Sequence, residues 1–157
     1  ACLYCLGVSS VGMKADEYKQ KTYDLTLGFA KILREENPSM SFSYISGAGT
    51  DTTEQGRLAW ARVKGKTEND LGKLGFGDYY SFRPAMIQPT PGLKNALPVY
   101  KYFNWLFPIL KKILPNSACT LQELGHAMLE ASVFGSPIKT VEGKDILVFA
   151  KQMRARL

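Results

Sequence analysis

Three side chains invite a chemical reading before any fold is considered: Ser46, Trp60 and Lys64. Ser46 closes a run of β-forming residues, "MSFSYIS", and the glycine turn "GAG" follows it. Trp60 and Lys64 stand four apart in "WARVKGKTEN", a stretch with helical spacing, so they share one helix face. Ser46 meets them if the intervening loop folds back. A hydroxyl, an aromatic hydrogen-bond donor and an ammonium gathered in this way suit a substrate carbonyl. With a tyrosine at position 60, the set would perform general acid–base catalysis, because the neighbouring ammonium lowers the phenol pKa. An indole N–H only donates, and it is too weakly acidic to release its proton. Trp60 can therefore orient a carbonyl but not protonate it, and proton transfer is typically worth about 10²–10⁴ in rate.

The elements that must position these residues follow from hydrophobic period. "ACLYCLG" is apolar and ends in glycine, as a buried parallel strand does. Residues 17–36 carry Tyr18, Leu25, Phe29, Ile32 and Leu33 at mostly helical spacing, and Asn37-Pro38 stops that helix. "MSFSYIS" alternates and predicts a second strand. Residues 55–72 predict a helix with Trp60, Val63, Thr67 and Leu71 on one stripe, and "DYYSFRP" a third strand ended by Pro84. Thr120 and Glu123 form a capping box that opens a helix at "TLQELGHAMLEAS". "IKTVEG" predicts a short strand and "KDILVFAKQMRARL" a closing helix.

Strand–helix–strand alternation at this spacing predicts an α/β fold, a parallel sheet with helices on both faces. Ligands of such sheets bind beyond the carboxyl ends of the strands. The segments after the first three strands, "GVSSVG", "GAGTDTTE" and "PAMIQPTPG", would gather at that edge.

Composition bounds the remaining possibilities. The 157 residues are 45% hydrophobic and 22% charged, an ordinary globular balance for a single domain. A net charge of +6 is spread without a basic run, which suits a phosphate-bearing small molecule better than nucleic acid. Cys2, Cys5 and Cys119 make an odd count, and with no secretory signal they predict reduced thiols in the cytoplasm. Cys2 and Cys5 match C-x-x-C, but three apart on a strand they point to opposite faces, so two buried strand cysteines are expected. His126 has no cysteine or acidic cluster at ligand spacing, so no metal is expected. The apolar, aromatic segment 93–114 is expected to be a helical subdomain packed on the sheet; it also suits the wall of an apolar substrate pocket. Membrane-surface contact through Lys94, Lys101, Lys111 and Lys112 is a further reading of it.

Taken together, "YISGAG", "WARVKGKTEN" and "FRPAMIQP" resemble the later half of an atypical short-chain dehydrogenase/reductase of the NAD(P)-binding, epimerase-like kind. The opening "CLGVSS" is similar to that family's fourth strand and the turn after it, so the resemblance covers nearly the whole chain. It implies a Rossmann-like sheet whose N-terminal strands are absent here, with residues 93–135 as a helical cap on the substrate side. It implies NAD or NADP as cofactor, NADP slightly favoured, and a small-molecule substrate. Ser46 then matches the catalytic serine, and Lys64 the catalytic lysine that also holds the cofactor ribose. Trp60 stands where the catalytic tyrosine belongs. Pro84, Ala85 and Ile87 match the segment passing the nicotinamide, and Leu6 and Gly7 the turn near the cofactor's ribose. The family's pyrophosphate loop, G-x-x-G-x-x-G, has no counterpart, and "SGAGT" cannot replace it because it follows the serine strand. Two functions are expected from these residues: an NAD(P)-dependent oxidoreductase or epimerase-like enzyme, or a non-catalytic NAD(P)-sensing or regulatory protein.

Overall fold

The computed structural model describes residues 1–90 and 116–157, so the readings made for 93–114 and for the first part of the 93–135 cap lie outside the described residues. Strand β1 is Cys2–Tyr4. Helix α1 (Ala15–Lys19) runs through one π-helical turn at Gln20–Asp24 into α2 (Leu25–Glu36). Then come β2 (Ser41–Ile45), α3 (Ala59–Gly72), β3 (Asp78–Arg83) and the short β4 (Met86–Gln88). After the undescribed segment follow β5 (Ala118–Thr120), α4 (Leu121–Phe134), β6 (Thr140–Glu142) and α5 (Gly143–Arg156).

Strands β1, β2, β3 and β6 pair in that order, every pair parallel, with Cys2 opposite Phe42, Ser41 opposite Asp78 and Ser81 opposite Thr140. This is a Rossmann-like α/β arrangement. Because the pairing is parallel, the ends of all four strands lie along one edge of the sheet. The segment after β3, expected to gather at the ligand-binding edge, contains β4, which pairs in parallel with β5 in a separate two-stranded sheet.

Side-chain alternation divides the sheet between two cores. Tyr4, Phe42, Tyr44 and Leu71 are buried with Leu27 and Ala30 of α2, so α2 and α3 cover one face. Tyr80, Phe82 and Val141 are buried on the other face with Leu124 and Met128 of α4 and Ile146 and Phe149 of α5. Ser43 belongs to that second face, where its hydroxyl meets Ser132 of α4 at 2.9 Å. The described part of the 93–135 segment therefore includes a helix that packs on the sheet. Its capping box forms as expected, with Thr120 accepting from the Glu123 amide and Glu123 from the Thr120 amide.

The buried face of α2 differs from the expected stripe. Leu25, Phe29 and Ile32 are exposed, while Tyr18, Thr22, Thr26, Leu27 and Ala30 are buried. The π-turn adds one residue to the helix and rotates the face that follows, so the spacing counted from Tyr18 no longer holds after Asp24. Thr26 is tolerated inside because its hydroxyl bonds Tyr4 Oη at 3.2 Å. The cysteine expectation is also corrected in part: none of the three cysteines is in a disulfide, but Cys5 is exposed and Cys2 half-buried, because β1 stops at Tyr4 and no neighbour covers its outer edge among the described residues. Among the described residues no helix is long and apolar enough to cross a membrane.

Candidate functional site

The site forms where β2 and β3 end. The Ser46 amide donates to the Phe82 carbonyl at 2.8 Å, which carries the β2–β3 ladder one residue past β2. The Ala48 amide donates to the Pro84 carbonyl at 3.0 Å, tying the loop after β2 to the residue just beyond β3. Between these two bonds the chain turns tightly: the Thr50 amide donates to the Gly47 carbonyl at 3.2 Å, and Gly49 sits at φ +83°. Only glycine takes that backbone without strain, and a side chain there would also press on the six-membered ring of Trp60.

Helix α3 then passes close to the loop. The Asp51 amide donates to the Ala61 carbonyl at 3.1 Å, and a methyl group on Gly65 would overlap the Asp51 carbonyl. Gly65 is thus the residue that lets the helix approach the loop backbone. Asp51 itself organises the loop: its carboxylate accepts from the Thr53 hydroxyl and amide at 2.6 and 3.0 Å and from the Gly56 amide at 2.6 Å. The Thr53 hydroxyl, followed by the Gly56 amide, holds its carboxyl below the usual aspartate range. Asp51 is a loop-ordering carboxylate with no proton to offer.

This packing seats Lys64 over the end of β2. Its Nζ donates to the Ser46 carbonyl at 2.6 Å and lies beside Gly47. Burial pushes the Lys64 ammonium pKa down, and the charge of Glu68 opposes that shift. Ser46 is only 5% exposed, and its hydroxyl meets the Thr50 hydroxyl at 2.8 Å. Thr50 uses its own proton on the Gly47 carbonyl at 2.8 Å, so Ser46 is the donor of the pair. The Ser46 proton is therefore spent on Thr50, and the hydroxyl must rotate away from Thr50 before it donates to another acceptor.

Ser46, Trp60, Lys64 and Pro84 are thus brought together around one turn. Leu6 and Gly7 follow β1 at the same edge of the sheet, and both are exposed. Ala85 is exposed beyond Pro84, whereas Ile87 lies in β4, half-buried against the α4–α5 core.

Among the described residues, Tyr44, Tyr79 and Tyr80 present no phenol to this turn. Tyr44 is 1% exposed beneath α3, and burial raises its phenol pKa. Burial does the same at Tyr79. Tyr80 points to the opposite face, where its hydroxyl accepts from the Ser136 amide at 2.8 Å.

Two groups here were missed in the sequence. Thr50 sets the direction of the Ser46 hydroxyl, and the Ser46–Thr50 spacing of four was the available signal. Glu68, Arg83 and Glu142 form a charged chain beside α3: Arg83 reaches both Glu68 oxygens, at 3.0 and 2.5 Å, and Glu142 at 3.3 Å. The spacing from Lys64 to Glu68 was visible, but the strand partner was not.

A polar cleft of about 220 Å³ opens past the ends of β4 and β5, lined by Gln88, Thr120, Gln122, Glu123 and Arg154 among others. His126 is engaged nearby with Arg154, at 3.4 Å from its Nδ1, and among the described residues no group of three or more His, Cys, Asp or Glu is placed to hold a metal. No family model matches the chain, and no curated protein matches it.

Proposed function

We propose that this chain belongs to an NAD(P)-dependent oxidoreductase or epimerase-like protein acting on a small molecule, with the nicotinamide–ribose end of the dinucleotide at the Ser46–Lys64 edge. The observation that carries this reading is the Lys64 Nζ seated 2.6 Å from the Ser46 carbonyl, where parallel strands end. An ammonium has three donors, and this bond uses one, which leaves two for the hydroxyls of a ribose. The residues fit that half of the cofactor. The sequence offers no G-x-x-G-x-x-G loop for the pyrophosphate half, so no role is derived for it.

Bound there, the cofactor would supply or accept hydride. The chain's own part is to hold ribose hydroxyls with Lys64 and to orient a carbonyl with Ser46, once its hydroxyl turns from Thr50, and with the indole N–H of Trp60. The second reading, a non-catalytic NAD(P)-sensing or regulatory protein, is favoured by one specific observation. Trp60, which stands where the resemblance puts the acid, has its ring against Gly49, and among the described residues the tyrosines nearby are buried or face the other side.

The test is a titration with NADH, NADPH and reduced nicotinamide mononucleotide, read by energy transfer from tryptophan to the reduced ring. The mononucleotide probes the half of the site that the residues fit. Binding is expected, weakened about tenfold or more in Lys64→Ala, the cost of one charged hydrogen bond. If none of the three ligands binds, or Lys64→Ala binds as well as the parent chain, the reading is wrong. Binding without turnover of any carbonyl substrate selects the second reading.

A further inference from the structure

One turn beyond Lys64, helix α3 buries a second charge. Glu68 is 5% exposed, and both of its oxygens are taken by Arg83, which stands in β3 immediately before Pro84. Arg83 is in turn held by Glu142 at the end of β6. A buried ion pair is a poor source of stability, since desolvating two charges offsets most of their attraction. Its position relative to Lys64 suggests another use. Residues four apart on a helix are neighbours, and the Glu68 charge acts on the Lys64 ammonium. Lys64's own hydrogen bond goes to a neutral carbonyl, which leaves its charge uncompensated. No carboxylate among the described residues forms an ion pair with it, so Glu68 is the counter-charge at hand.

The other titratable groups around Glu68 do not compete for this role. Tyr44 from β2 and Tyr79 from β3 are kept neutral by burial, and Tyr18 from α1 is also pushed up. Arg83 and Glu142 bring opposite charges and fix the Glu68 carboxylate in orientation.

We propose that Glu68, clamped by Arg83, is the positioning residue for Lys64: its fixed negative charge holds the ammonium in place at the Ser46 carbonyl, with its free donors directed to a ligand's hydroxyls. This rests on the reading of Lys64 given above, and the experiment separates the two. In the full chain with ¹³C-labelled lysine, the Lys64 signal is assigned by its loss in Lys64→Arg and followed through an alkaline titration. In Glu68→Gln the Lys64 midpoint is expected to move downward, and reduced nicotinamide mononucleotide to bind severalfold more weakly. Because Glu68→Gln leaves Arg83 buried without its partner, a second variant, Glu68→Gln with Arg83→Met, removes the pair as a unit; its Lys64 midpoint also falls, by less. A purely structural Glu68 would change thermal stability and leave the Lys64 midpoint where it was in both variants, and that result overturns the inference. If the parent chain binds no nicotinamide ligand, the cofactor reading fails while the lysine titration still decides the role of Glu68.

Discussion

At Trp60 the chain has a flat hydrogen-bond donor where the proposed acid–base chemistry would need an ionisable one. The ring lies against Gly49, one turn of α3 before Lys64, so a phenol built there would lie beside an ammonium able to stabilise its phenolate. Trp60→Tyr is therefore expected to raise NADPH-dependent reduction of carbonyl compounds by up to about 10² over the parent chain, the low end of what a positioned acid contributes. Initial rates over an aldehyde and ketone panel check this. No rise, with cofactor binding intact, would mean that residue 60 does not face the carbonyl. The identities that suggest this chemistry, Ser46 and Lys64, were legible from type and spacing. What the sequence did not reveal is that the Ser46 proton is committed to Thr50, because hydroxyl direction depends on the turn at Gly47 and Gly49.

Among the elements, α3 and the loop before it act as one piece. Gly65 permits their contact, and the loop in turn holds Ser46 beneath Lys64. Gly65→Ala places a methyl group into the Asp51 carbonyl, and overpacking of this kind costs about 1–3 kcal/mol. A urea midpoint lowered accordingly, with weaker nicotinamide binding, is the expected result; an unchanged midpoint would show that the loop moves aside freely. The order and type of the longer elements were legible, since helices and strands of five or more residues display their period. The inner face of α2 was not, because one π-turn shifts its phase, and β4 was not, because its only partner among the described residues, β5, lies far along the chain.

At the scale of the whole molecule, acid stability should depend on Asp70. It accepts from Lys66 at 2.8 Å, Lys73 at 3.0 Å and the Tyr23 hydroxyl at 2.8 Å, joining α3 to the π-turn. Lys66 foremost, with Lys73 and Tyr23, holds the Asp70 carboxyl well below the usual carboxylate range. A depressed folded-state pKa stabilises the native protein above the unfolded value, about 3.9, and that contribution is lost as pH falls below it through the folded value. Melting temperatures measured from pH 6 to pH 2 should fall less steeply below pH 4 in Asp70→Asn than in the parent chain, after starting lower at pH 6.

The all-parallel ladder has a consequence for how the molecule assembles. Cys2 pairs with Phe42, Ser41 with Asp78 and Ser81 with Thr140, so each pairing must close a loop containing at least one whole helix. No strand of the main sheet can zip onto its sequence neighbour through a short hairpin. The entropy of those closures is met before the ladder returns any hydrogen bonds, which gives the fold a high contact order and a slow search. Helices α4 and α5, which pack on each other across the short connection that holds β6, make the contacts that need the least closure of this kind.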